Sequence, residues 1–224
     1  MVHALVLSGG VTHDFPALNA EVSALLGELG IGATVTEDFE GALRHLDDVD
    51  LLVVNMLRWS MQSGRYADQR ERWGLSPSPA SRAAIAGFVS SGGPLLALHA
   101  AAICFDDWPE WRSIIGGRWV WGTSSHPPFG RMTVTVHPDR HAVVAGLPIS
   151  FQLEDEAYGF LDREDDVRAL VESAHGGSSH PLVWARTFGA GRVVHDALGH
   201  AVPSYRVPEH RALVTQAVRW LLDG

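Results

Sequence analysis

Cysteine is nearly missing from this 224-residue chain: the one copy, Cys104, has no partner for an internal disulfide. Positive charge is also sparse. Seventeen basic residues face 26 acidic ones, for a formal charge of −9, and no Lys/Arg cluster forms the stripe that a phosphate backbone requires. Nucleic acid is therefore not an expected partner. No apolar run approaches the ~20 residues that span a bilayer, which argues against a membrane as partner. The amino end opens on the strand-like Val2–Leu7 with no charged leader and cleavage site, so a cytoplasmic protein is expected. Internal repeats, low-complexity tracts and linkers are lacking too. What remains is 46% hydrophobic and 19% charged, enough for one substantial core and a single domain over 1–224. Homo-oligomerisation is left open.

Short apolar runs alternate with helical patterns. Ala4–Leu7, Ala33–Thr36, Leu51–Val54 and Leu95–Leu98 read as strands, and their continuous apolar character suits a sheet buried on both faces. Leu18, Val22, Leu25, Leu26 and Leu29 recur at helical spacing until Gly30, and Ser78-Pro79 caps a helix over Ala80–Val89. The connection Met56–Ser78, rich in arginine and carrying Trp59, Tyr66 and Trp73, is long enough to serve as an active-site lid. In the second half Arg131–Val136, Ala169–Val171 and a hairpin of Leu182–Thr187 with Arg192–His195 predict antiparallel additions. An amphipathic helix from Pro208 closes the chain, with Leu213, Val214, Ala217, Val218 and Leu221 as its core stripe. The fold class is α/β: three layers, a mainly parallel sheet flanked by helices.

Ligands in open parallel sheets bind outside the carboxyl ends of the strands. That rule selects His13 after the first strand, Asn55 after the third, and His99 at the tip of a tight turn after the fourth, where small residues on both sides allow a strand to reverse into a helix. Imidazole at that tip can move protons or bind a metal, but it excludes ordinary thiol or hydroxyl acyl transfer. Ile103-Cys104-Phe105 reads as the apolar start of the next helix, with Cys104 buried and inert. Later segments add His126, then Glu156 and Tyr158, and finally His200. His99, Glu156 and His200 are the candidate catalytic groups; His13, Asn55, His126, Tyr158, Trp59 and Trp121 are candidates for substrate contact. His13, His99, His126, His200 and Glu156 also offer nitrogen and oxygen ligands for a divalent metal such as Zn²⁺, although no local spacing motif supports one. Each has a structural alternative: His99 as a satisfied core histidine, Glu156 on a solvated acidic face, His126 as a loop cap. Loop aromatics, among them Trp59, Trp73, Trp108, Trp111, Trp119 and Trp121, suit the apolar faces of sugars, whereas Trp184 and Trp220 are read as core or oligomer contacts.

Seven segments together resemble the trehalose-utilisation ThuA-like family. They are SGGVTHDF at Ser8–Phe15, GGPLLALHAA at Gly92–Ala101, Gly116-Gly117-Arg118 with His126, His141 before Gly146-Leu147-Pro148, DEAY at Asp155–Tyr158, PLVW at Pro181–Trp184, and GAGRVVHDALGH at Gly189–His200. The resemblance runs nearly end to end. It implies a flavodoxin-like fold similar to class I glutamine amidotransferases, and a role in catabolism of trehalose and related disaccharides through 3-keto-glycosides. Those amidotransferases place a cysteine at the elbow where this chain has His99, so glutaminase activity is not expected. The expected function is an enzyme, a carbohydrate-active hydrolase, lyase or isomerase, using acid–base chemistry, either alone or assisted by a metal, on a small-molecule carbohydrate. The alternative is a non-enzymatic sugar-binding or regulatory protein using the same crevice.

Overall fold

Strand β1 (His3–Gly10) is buried from Ala4 to Gly9, and it pairs in parallel with β2 (Gly32–Thr36) on one side and β3 (Leu51–Leu57) on the other. The computed structural model describes residues 1–223. Between β1 and β2 runs α1 (Phe15–Glu28), started by the Asp14 carboxylate accepting from the Ala17 N–H. β4 (Leu95–Leu98) follows α4 (Pro79–Ser90), whose cap is Ser78 as the sequence predicts. The parallel core is completed by β11 (Gly191–Asp196) beside β4.

From β11 the sheet continues antiparallel through β10 (Ser178–Phe188), β9 (Val171–His175), β6 (Gly130–Val136) and β7 (Ser150–Asp155), in the order β2-β1-β3-β4-β11-β10-β9-β6-β7. α1 and α7 (Pro208–Leu222) pack on one face of the parallel part, and α4 with α5 (Pro109–Ile115) on the other. Because β2 and β3 lie on opposite sides of β1, the loops after β1 and β3 diverge and open a crevice at the carboxyl edge.

Several sequence expectations are corrected. The segment 56–78 is not an open loop: β3 runs on to Leu57, and the remainder carries a 3-10 turn and α3 (Ala67–Trp73), pinned by buried Trp59, Met61 and Leu75. The strand expected at Ala169–Val171 starts only at Val171, after Arg140 has donated to the Ala169 carbonyl. Nor does Ile103–Phe105 begin a helix. His99–Ala102 forms a 3-10 turn, Phe105 takes a left-handed φ of 58°, and α5 waits until Pro109. Trp184 is core as expected, while Trp220 is only partly buried, beside His141 and Arg192.

At the β10–β11 turn the backbone passes so close to α4 that a Cβ on Gly191 would lie 2.0 Å from the Val89 carbonyl oxygen. Gly191→Ala is therefore expected to destabilise the protein by about 1–3 kcal/mol, as overpacking does, read as a lower urea midpoint at unchanged m-value. An unchanged midpoint would show that α4 can yield there.

Candidate functional site

Four strand ends each deliver one group to the crevice. His13 follows β1; His99 begins the turn after β4; Glu156 directly follows β7; His200 comes four residues after β11. One ligand atom from each lies within 4.8 Å of all the others. One of the carriers, His99 at φ 41°, and the residue before another, Thr12 at φ 66°, are in left-handed backbone, a conformation costing about 1–3 kcal/mol for a non-glycine residue and kept where the surroundings demand it.

Both inner histidines have defined tautomers. His99 Nδ1 lies 2.8 Å from the Ala197 carbonyl, which can only accept, so Nδ1 carries the proton and Nε2 presents a lone pair. Burial pushes its pKa down to about 4. Tyr158, whose phenol is raised well above its ordinary value by burial, donates to that Nε2 at 3.1 Å. His13 repeats the pattern: Nδ1 donates to the Val11 carbonyl at 3.2 Å, its pKa falls to about 3 through burial and the neighbouring His99 and His200, and its buried Nε2 has no partner. Glu156 sits among them. Burial raises its carboxyl, but His200, with Nδ1 3.1 Å from Oε2, and the other imidazoles outweigh that and bring it below the ordinary value.

The crevice opens as a cavity of about 290 Å³ whose wall includes His13, Glu156, Tyr158, His126 and His200, with Trp59, Tyr66, Trp119 and Trp121 as its aromatic side. Trp59 meets Tyr66 edge-on at 4.9 Å and Trp121 at 5.5 Å between centroids. Arg65 supplies one guanidinium to the same wall.

Three sequence-predicted residues differ from expectation. His99 does not line the cavity; it lies behind it, 2% exposed, in contact with Glu156 at 3.8 Å and with Tyr158. Asn55 is also withdrawn, because its amide donates to Asn19 of α1 at 2.8 Å, and Asn19 in turn donates to Ser8. His126 reaches Glu156 Oε1 only at 3.6 Å, spends Nδ1 on the Pro127 carbonyl and stands outside the four-atom cluster. Among the aromatics, Trp108 and Trp111 are largely buried against Phe105 and do not line this cavity.

Sequence reasoning missed what holds the site in place. The buried Asp155 carboxylate accepts from the backbone N–H of Glu156, Gly199 and His200 and from Ser204 Oγ. Ser204 contacts His210 Nδ1 at 3.0 Å, and His210 Nε2 meets Asp196 at 2.9 Å. His210 lies one turn before Leu213 on the buried stripe of α7, so the helical period carried a signal for it. Asp155→Asn places an NH₂ where two backbone donors converge. The expected cost is about 1–3 kcal/mol, with faster amide exchange at Gly199 and His200; unaltered exchange there would refute Asp155 as the anchor of that loop.

Fold and site together define an α/β protein with a histidine–carboxylate cluster at the carboxyl edge of its parallel strands. The chain belongs to the ThuA family, described as trehalose utilisation, whose model matches residues 3–221. In structure it is similar to a ThuA-like protein from Parabacteroides merdae ATCC 43184, at 19% identity and a TM-score of 0.79, covering 99% of this chain and 90% of that one. A cytoplasmic protein from Salmonella typhimurium LT2 superposes with a TM-score of 0.66 at 13% identity, over 97% and 99% of the two chains. The β-galactosidase of Rahnella sp. R3 matches with a TM-score of 0.64 and 14% identity, over 97% of this chain but 31% of the enzyme. These likenesses show the fold. No curated protein matches significantly, and among the described residues no helix is long and apolar enough to cross a membrane.

Proposed function

We propose that this chain is an enzyme of sugar catabolism that acts on a disaccharide, glycoside or 3-keto-glycoside by acid–base chemistry at Glu156 and His200. The observation that carries the reading is the convergence of His13, His99, Glu156 and His200 from four strand ends beside an aromatic cavity; the trehalose-utilisation family supports the sugar. Glu156, ionised at neutral pH and on the cavity wall, is the base. His200, 3.1 Å away, is placed to receive or return its proton. Tyr158 and His126 line the polar side of the pocket, and Trp59 and Trp121 offer ring faces to the apolar side of a pyranose.

The donor set also fits a divalent ion. His13 and His99 are neutral, each has Nδ1 tied to a backbone carbonyl and Nε2 turned inward, and the unpartnered Nε2 of His13 is otherwise unexplained. A Zn²⁺ or similar ion held by His13, His99, Glu156 and His200 would polarise a sugar carbonyl and acidify the adjacent C–H. His99, behind the wall, then serves as ligand or as the group orienting Tyr158 and Glu156.

A flavodoxin-like kinship with class I glutamine amidotransferases, part of the same reading, would not bring glutaminase chemistry, because the nucleophile is lacking. The elbow residue is His99, and the Cys104 thiol, pushed up to about 12 by burial, donates to the Met56 carbonyl. The test is a panel of 3-keto-glycosides and their parent disaccharides, assayed together with ammonia release from glutamine and with metal content by mass spectrometry. Turnover of a sugar without ammonia is the expected result. Saturable sugar binding with no conversion would replace the enzyme by a sugar-binding protein, and ammonia release would overturn the account of Cys104.

A further inference from the structure

Beside the cavity that holds Glu156 lies a second one of about 210 Å³, and the two share Ile103, Trp119 and Trp121 as lining. Its remaining wall differs in chemistry. Cys104 is engaged by two backbone carbonyls. Asp106 accepts from both the N–H and the hydroxyl of Ser60. Arg112 is held by Asp162 and Glu164. Each of these groups is already engaged by protein partners, and the chamber has no counterpart of the converging histidine–carboxylate set of the first.

What it offers a ligand is indole surface and donors. Trp119 and Trp121 stand between the chambers, and Trp121 is 48% exposed, so a chain of atoms can cross over it. Arg118 spends its Nε on Asp162 at 3.0 Å, and among the described residues no partner engages its two terminal nitrogens. Ring faces beside a forked donor suit a pyranose with its hydroxyls. Size agrees: about 210 Å³ is room for a single sugar ring. Together the chambers fall within the ~300–1,000 Å³ of ordinary ligand sites.

We propose that the second cavity is a recognition subsite for the distal unit of a disaccharide or glycoside, with the reacting unit held against Glu156 and the linkage crossing Trp121. This rests on the sugar reading above and narrows it: the substrate is a two-unit glycoside recognised through both rings, and selectivity for the second ring resides in Arg118, Val120 and the indoles rather than in the histidine cluster.

Val120 lines only the second chamber, and its structural bonds, N–H to Ser124 Oγ and carbonyl to the N–H groups of Thr123 and Ser124, are made by backbone. Val120→Trp should therefore fill the chamber without touching the first. Binding of trehalose, maltose and methyl α-glucoside is measured by calorimetry on the parent, on Val120→Trp and on Arg118→Met, with thermal melts confirming that each variant is folded. The parent is expected to bind at least one disaccharide about tenfold or more tighter than the methyl glucoside. Val120→Trp should abolish that advantage and leave the methyl glucoside unchanged, and Arg118→Met should reduce it. Equal affinity of the parent for all three sugars overturns the subsite, as does equal weakening of mono- and disaccharide in Val120→Trp. If that variant does not fold, an undiminished preference in Arg118→Met overturns it instead. A parent that binds none of these sugars and none of their 3-keto forms, measured in the same way, refutes the sugar reading itself, an outcome distinct from sugar binding without discrimination.

Discussion

Glu156→Gln is expected to lower turnover of a sugar substrate by roughly 10²–10⁴, the usual contribution of a positioned general acid or base, while the protein stays folded and sugar affinity changes only a few-fold. The amide keeps the shape of the carboxylate and can still bond a hydroxyl, but it cannot take up a proton. It also removes the one negative charge in contact with His99, His126 and His200, so a bound divalent ion should be lost or weakened in the same variant. Single-turnover conversion, binding and metal content on one preparation separate these effects. Unchanged turnover would move the acid–base role from Glu156 to the imidazoles. Lost binding with normal conversion at saturating sugar would make Glu156 a binding residue.

Acid should unfold this protein early. His99 and His195 have folded pKa values near 4 and His13 near 3, against 6.5 when free, in each case chiefly because burial disfavours the charged imidazole. A group whose folded value is depressed in this way contributes stability above its unfolded value and loses it as pH falls through the folded one. Between pH 6.5 and about 4 the unfolded chain therefore binds more protons than the folded one. At 1.36 kcal/mol per pKa unit, His99 and His195 are each worth on the order of 3 kcal/mol by pH 4. His210 has the opposite sign. Although burial disfavours its charge, Asp196 and Asp155 raise its pKa, so its contribution is present below 6.5 and fades as pH rises through the folded value. Urea unfolding from pH 7.5 to pH 4 should show a loss of several kcal/mol on the acid side. His195→Leu, which removes a fully buried ring with both nitrogens unpartnered, should flatten the slope by about one proton. A pH-independent midpoint over that window would show that these rings are solvated or protonated in the folded state.

Local pattern in the chain was enough for the parallel core. Ala4–Leu7, Leu51–Val54 and Leu95–Leu98 are apolar without interruption, and only strands buried on both faces call for that. Because such strands end where their apolar run ends, the polar residues just past them, His13, His99 and His200, were legible as candidates together with the edge they share. Tertiary structure decided which way each side chain turned. Asn55 lies on the same strand-end logic as the others yet turns to Asn19 of α1. His99 stands behind the cavity because a left-handed turn and the Ala197 carbonyl draw its ring inward. Trp108 and Trp111 turn away from the Glu156 cavity and pack against Phe105, where they line the neighbouring chamber. The Asp155 anchor joins residues 44, 45 and 49 positions away, and β6 meets β9 through the pairing of Thr135 with Glu172, distant in sequence. Periodicity reports whether a residue is buried, since burial follows from its own strand or helix. Which buried donor meets which acceptor depends on two segments that the chain connects only through the finished sheet, and this is why the cluster could be nominated from sequence but its wall, its anchor and its neighbouring chamber could not.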